Sequence, residues 1–397
     1  MQEVYNSFIK KSIIFIILVG SMLILTGCWD RIEINDLAIV TATGIDKSED
    51  GQIELSLEIF IPKSMGGGSE GGGSVTSGGK QTMITYHKGR NVAEALSKLQ
   101  AELSRKVFWG SCKIFIFGED VAKDGIQDHV DFLLRHPEPR ERAYMFVGQG
   151  NAKRILDTKA TLERYSADAL RKLSKGEHGM NVTLQDLDEM LTSKDQNVVL
   201  PYLDVIKHSS DGDKNQDVIF DGTVFFEKDR MVGVISESTT RGLLWLKEKL
   251  KDYTITFEPG EGNGKMSIFL VNNQVKLIPK IQNGTWKMIV DINTEGSLIQ
   301  NGTDLDLDNP ESERKVKKAY GDKVEERIRQ VIADAKEYKL DVLDYGKEFH
   351  RKYPQEWKQV ENRWEEVFPE VQTEIHIKTN IRRQGYINGP IKSRGEE

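Results

Sequence analysis

Two cysteines, Cys28 and Cys112, are all that the 397 residues contain. So few thiols cannot build the dense disulfide framework of a small secreted domain, and they exclude a zinc site made of cysteine ligands. If Cys28 is modified, Cys112 has no partner at all. The seven histidines are scattered at His87, His129, His136, His178, His208, His350 and His376. None stands in His-Glu-x-x-His or another paired ligand spacing. Gly-x-Ser-x-Gly is matched at Gly67-Gly68-Ser69-Glu70-Gly71, within a Gly/Ser-rich stretch and with no apolar strand directly before it, so it does not read as a nucleophile elbow and hydrolysis has no motif behind it. A basic excess is missing too. The formal net charge is −7, and because Lys10, Lys11 and Glu3 lie in the first 27 residues, the remainder carries −8. Phosphate backbones and anionic lipid are held by concentrated Lys and Arg. The bulk charge therefore argues against nucleic acid as a partner and against adhesion to acidic lipid through a basic patch.

What is present begins at the N-terminus. Lys10 and Lys11 precede an apolar run, Ile13 to Val19 and then Met22 to Leu25. The run is about 13 residues long, whereas a bilayer-spanning helix needs roughly 20. A positive segment followed by a short apolar one reads as a signal peptide covering residues 1–27. It ends in Leu25-Thr26-Gly27-Cys28, which resembles the lipobox of bacterial lipoproteins. The small residues Thr26 and Gly27 admit a peptidase, and the thiol of Cys28 takes diacylglycerol. Cleavage between Gly27 and Cys28 leaves a lipidated N-terminus, and two acyl chains suffice for stable anchoring. No other cofactor is expected beyond this covalent lipid.

The mature chain reads as α+β and multi-domain: two to three mixed α/β domains with antiparallel and mixed sheets. An N-terminal α/β domain is expected over 28–207. It opens with a strand at Leu37–Thr43 and a turn at Gly44-Ile45-Asp46. Ile53, Leu55, Leu57, Ile59 and Ile61 then alternate with polar positions, which predicts a strand with one mostly wet face. Residues 65–80 are dominated by Gly and Ser and predict a flexible loop. Asn91 with Glu94 three residues on predicts a helix start. Strands and helices then alternate to about Leu203.

A polar linker is expected at 208–217. Asp211, Asp213, Asn215 and Asp217 have calcium-loop spacing, but Gln216 and Gly222 stand where the loop requires Gly and Glu. A small α/β middle domain is expected over 218–262 and a C-terminal α+β domain over 263–397. The latter holds a long helix at 310–340, started by Asn309-Pro310, and a further helix at about 347–367. Trp357 and Trp364, seven apart, would then share one helical face. Arg135, Glu138 and Arg140 form a charge cluster after a helix, read either as a solvated helix end or as a structural or interface network.

Several residues together resemble the spore germination receptor C-subunit lipoproteins, the Ger(x)C family. They are Cys28-Trp29-Asp30, Glu33, Leu37, Gly44-Ile45-Asp46, Ile116-Phe117-Gly118-Glu119, Val121-Ala122, Gly125-Ile126, Arg135, Glu138 and Arg140. The likeness continues through Asp341-Val342-Leu343, Gly346, Tyr353-Pro354, Trp357, Trp364 and Arg382-Arg383. Departures occur at Asp344, where the family often has glycine, at Ser111-Cys112, where a His-containing pair is expected, and in the Gly/Ser stretch. The resemblance implies a non-enzymatic, lipid-anchored peripheral subunit of a nutrient receptor on the outer face of the inner spore membrane. It would act beside integral membrane A and B subunits. An alternative is a substrate-binding lipoprotein that captures an amino acid, sugar or nucleoside directly in an interdomain cleft.

Overall fold

The computed structural model describes residues 11–16, 33–61, 81–158, 163–176, 179–194, 196–207, 216–260 and 264–382, with Tyr5, Ser7 and Ile9. Gly27, Cys28, the Gly/Ser stretch and residues 208–215 lie outside the described residues. Two mixed sheets with flanking helices form an α+β architecture.

The first sheet has the order β3-β2-β1-β5-β6-β7-β8-β9, with β4 added beside β1. Its strands are β1 (Leu37–Lys47), β2 (Ile53–Phe60), β3 (Thr82–Gly89), β4 (Lys106–Phe108), β5 (Ile114–Gly118), β6 (Tyr144–Gly148), β7 (Asn197–Lys207), β8 (Gln216–Glu227) and β9 (Arg230–Ser236). β1, β5, β6 and β7 run parallel, while β2, β3, β8 and β9 pair antiparallel at the two flanks. The apolar, β-branched strands β5 and β6 are buried along almost their whole length, as parallel strands covered by helices on both faces should be. Among the covering helices are α1 (Val92–Glu102), α2 (Glu119–Asp124), α3 (Gln127–Arg135), α4 (Ala152–Leu156), α5 (Ser166–Lys175) and α6 (Leu184–Thr192). The cap at α1 is as expected: Asn91 Oδ1 accepts from the Glu94 N–H at 2.9 Å.

Two local expectations change in this sheet. β1 runs straight through Gly44-Ile45-Asp46 instead of turning there, because the segment pairs with β2 and β5. β2 has no wet face: Ser56 and Glu58 are buried. Helices cover both sides, and Glu58 is held by hydroxyl donors from Thr41 Oγ1 (2.7 Å) and Ser166 Oγ (2.7 Å). Burial raises the affinity of this carboxyl for its proton.

The middle unit expected over 218–262 does not stand apart. Residues 216–227 pair antiparallel with β7, and β9 pairs with them, so this segment finishes the first sheet. Helix α7 (Glu237–Leu246) then leads into the second sheet. Its order is β10-β11-β12-β13, with β10 (Thr254–Phe257), β11 (Met266–Gln282), β12 (Thr285–Asn301) and β13 (Gln372–Arg382). The C-terminal sheet thus begins before residue 263. β11 is one continuous 17-residue strand with a register shift between Leu270 and Asn272.

The long helix α8 (Pro310–Glu337) starts where Asn309-Pro310 predicts, with Asn309 Oδ1 accepting from the Glu311 N–H at 2.8 Å. Its buried stripe is Val316, Tyr320, Val324, Ile328, Val331, Ile332 and Ala335. Each such side chain stabilises the fold by roughly 1.5–3 kcal/mol through burial, less for alanine. The next expected helix is broken. α9 (Tyr345–Lys352) stops before Tyr353-Pro354, and only short turns of helix follow at Pro354–Trp357 and Trp364–Val367. Proline lacks the N–H a continuing helix would use. Trp357 and Trp364 therefore meet across this break, with ring centroids 4.9 Å apart, rather than on one helical face.

Ile328 lies at the centre of the α8 stripe with no exposed surface. Ile328→Ala is expected to lower the unfolding free energy by about 3 kcal/mol, read from the urea midpoint. A loss below about 1 kcal/mol, the level of an exposed site, would contradict the packing described.

Candidate functional site

The proposed lipidation residue Cys28 and the cleavage residue Gly27 lie outside the described residues. The three charged candidates are described, and they do not form one network. Arg135 is exposed and pairs with Asp131 one helical turn back, at 2.7 Å. Glu138 Oε2 accepts from the backbone N–H of Trp109 at 2.8 Å, which fixes the loop before β5. Arg140 is exposed, and its carbonyl accepts from the Ala143 N–H.

Other residues of the family pattern do converge, in two places. The first is the carboxyl end of the parallel strands. Asp46, at the end of β1, accepts from the N–H groups of Ala152 (2.7 Å) and Lys153 (3.0 Å) through its two oxygens. It thereby closes the first turn of α4, whose orphan N–H groups need acceptors. A side chain on Gly118 would collide with Asp46 Oδ1, so the glycine ending β5 makes room for the carboxylate. Next to it, Glu119 Oε2 accepts from the Gly150 N–H (3.1 Å) and the Tyr202 hydroxyl (3.2 Å). Burial pushes the Asp46 carboxyl up to about 6, against the opposing pull of the Lys153 and Ala152 N–H groups.

The second convergence is in the C-terminal unit. Asp341 is buried and accepts from the Tyr345 N–H (3.0 Å), the Gly346 N–H (2.5 Å) and Trp364 Nε1 (2.9 Å). A Cβ at Gly346 would lie 2.7 Å from Trp357 and 2.9 Å from Trp364 Nε1, so only glycine fits between the carboxylate and the two indoles. Burial pushes the Asp341 carboxyl up to about 6 as well. Asp344 follows with φ +62°. That backbone conformation is open to glycine at little cost, which gives a physical reason for the glycine expected there. Lys247 pairs with the Asp344 carboxylate at 2.8 Å.

Asp341 also touches the first sheet, since Asn197 Nδ2 in β7 donates to its carbonyl at 3.2 Å. Around this joint one apolar core is continuous across both units. Met180, Val199, Phe225 and Ile235 pack with α7, α8 and the second sheet. Phe225 meets Tyr338 edge to face at 5.7 Å, and Gly233 leaves room for the Tyr338 ring. A solvent-filled cleft of about 1040 Å³ opens beside the joint, with Asn197, Lys228, Lys339, Asp341 and Trp364 among its lining residues. Non-glycine residues in the left-handed region gather at its rim: Gln196, Lys228, Lys339 and Asp344.

These groups hold backbone in place; their carboxylates are occupied by N–H donors. Cys112 is fully buried, and burial pushes its thiol up to about 12, which suits an inert side chain rather than a nucleophile. Among the described residues no cluster of three or more His, Cys, Asp or Glu side chains could hold a metal ion, and no helix is long and apolar enough to cross a membrane. Sequence reasoning had Asp46 and Asp341 in view only as pattern residues. For Asp341 the available signal was an acidic residue four positions ahead of a helix start at Tyr345, too common to single out; Asp46 caps a helix 106 residues away, which no local pattern shows.

The fold and its convergent carboxylates define a two-part α+β protein whose buried acidic groups hold its own backbone. Comparison with known proteins places it further. Residues 30–205 match the model of the spore germination protein N-terminal domain, and residues 221–385 match that of the spore germination B3/GerAC-like C-terminal domain. Spore germination protein KC of Bacillus subtilis (strain 168) is 27% identical over 97% of this chain and 98% of its own. Putative spore germination protein YfkR of the same organism is 28% identical over 89% of this chain and 91% of its own. The crystal structure of the GerBC protein superposes with a TM-score of 0.53 at 17% identity, covering 85% of this chain and 96% of that one, and shows the same fold. The chain belongs to the spore germination receptor C-subunit family, Ger(x)C.

An unfolded aspartate titrates near 3.9, so the folded state binds the Asp341 proton more tightly. This group's contribution to stability is full below about pH 4 and is lost as the pH rises through about 6. Wild type is therefore expected to lose roughly 2–3 kcal/mol more than Asp341→Asn between about pH 4 and 7, measured by urea unfolding at each pH. Parallel pH profiles for the two proteins would contradict the assignment. Separately, Trp364→Phe removes one donor to a buried carboxylate and should cost about 1–3 kcal/mol, with little effect from Trp286→Phe beyond packing.

Proposed function

We propose that this chain is the lipid-anchored peripheral subunit of a nutrient germinant receptor. In this reading diacylglycerol on Cys28 holds the folded units at the outer face of the inner spore membrane. They work there by protein–protein contact with integral A and B subunits and carry out no catalysis. The observation that carries the reading is the tetrapeptide Leu25-Thr26-Gly27-Cys28 behind a short apolar run, together with a family match that begins at residue 30. Two features agree with it. The helical residues 11–16 expose Ile13, Ile14, Phe15 and Ile16, as a leader with no place in the folded units would. The other cysteine, Cys112, is buried, so Cys28 alone is left for modification. Confinement to a membrane face raises the effective concentration of the units near embedded partners without any new contact.

Cys28→Ala is expected to shift the protein from the membrane fraction of spores to the soluble fraction or to leave it unprocessed, and to reduce nutrient-triggered germination. Fractionation followed by mass spectrometry of the N-terminal peptide checks this. Unchanged membrane retention and unchanged germination would remove the tether from the mechanism.

A further inference from the structure

The parallel strands of the first sheet give it two chemically different ends. β1 and β4 start side by side, and β5 and β6 start five residues further along β1, level with Ala42. The segments entering them are 33–36, 103–106, 109–113 and 136–143. They carry five cations (Arg105, Lys106, Lys113, Arg140 and Arg142) against four carboxylates, and one of those carboxylates, Glu138, is occupied by the Trp109 N–H. Lys106, Lys113, Arg140 and Arg142 are exposed. The opposite edge, built from 46–54, 88–90, 119–124, 149–154 and Asp204, carries eight carboxylates against six cations. The net charge of −7 thus hides a difference of three charges between these two sets of segments: +1 at the amino edge and −2 at the carboxyl edge.

The chain enters at the less acidic end. Glu33 is five residues from Cys28, a reach of at most about 17 Å even when fully extended. The first turn after it, Ile34–Asp36, leaves Ile34 71% exposed among the described residues. The two edges are separated by 11 residues along β1 and by five along β5 and β6, or roughly 36 Å and 16 Å at 3.3 Å per residue.

We propose that the amino-terminal edge of the parallel strands rests on the lipid headgroups, with Ile34 entering the interface, and that the acidic carboxyl edge faces away. This rests on the anchor at Cys28 proposed above. The tether length restricts which edge can reach the bilayer, and the charge difference favours the same edge. Each Lys or Arg near an anionic surface contributes about 1 kcal/mol, falling off within a Debye length, and carboxylates there are repelled. The cleft beside Asp341 and the second sheet are then left for protein partners.

The test uses the full-length, lipid-processed protein carrying one fluorophore, at Ser104→Cys on the amino edge or at Glu49→Cys on the carboxyl edge. Both positions are exposed. Each protein is incorporated into vesicles of phosphatidylcholine with phosphatidylglycerol that contain a headgroup-attached quencher, and flotation is measured alongside quenching. The Ser104 label is expected to be quenched severalfold more than the Glu49 label, and Lys106→Glu with Arg142→Glu should reduce that contrast while flotation persists. Equal quenching, or stronger quenching at position 49, in protein that still floats would overturn the orientation and leave the anchor intact. Protein that does not float and carries a free Cys28 thiol would overturn the anchor and the orientation together.

Discussion

A single apolar joint holds the two sheets of this protein to one another. Val199 and Phe225 of the first sheet, Trp245 of α7 and Ile328 and Val331 of α8 belong to one buried cluster. Removing such a cluster from water is the main favourable term in folding, and here it spans two units that the sequence presents as separate domains. Interfaces between domains are usually smaller and more polar than domain cores. The consequence is mechanical. If the first unit is tethered as proposed, a pull on it would act on the second as well through this shared core.

Buried carboxylates pin that assembly at its ends. Asp46 fixes α4 against β1, Glu58 ties α5 to β2, and Asp341 gathers α9 and Trp364 beside the joint. Each is taken out of water, which alone would be costly. Each offsets that cost with two or more donors, and each accepts a raised affinity for its proton as the residue of the exchange. The residues that resemble the receptor family include two of these pins, Asp46 and Asp341, and the glycines, Gly118 and Gly346, that make room for them. Their pattern marks architecture first.

Much of this was legible in the sequence. Asn309-Pro310 marks the start of α8, Asn91 and Glu94 mark α1, and the alternation in β2 and the apolar run in β5 mark strands. These are local signals, set by capping chemistry and by side-chain periodicity. What was not legible is long-range. Nothing in Val218–Phe226 says that it pairs with β7 across the linker rather than starting a new unit. Nothing in the alternation of β2 says that helices cover both faces, so Glu58 reads as solvent-facing. The break in the helix after Tyr353 is readable from Pro354. Cys28, on which the membrane reading depends, is legible from sequence alone, through its leader and small neighbours.

An anchored, basic-edged unit rigidly joined to a second one would present partners with a fixed surface rather than a swinging domain. That picture depends on the shared core behaving as one cooperative body. Scanning calorimetry of the full chain tests it directly. One unfolding transition, with the calorimetric enthalpy equal to the van't Hoff enthalpy, is the predicted result, and a destabilising change in either sheet should move the whole transition. Two resolved transitions, with Val199→Ala shifting only one of them, would contradict it.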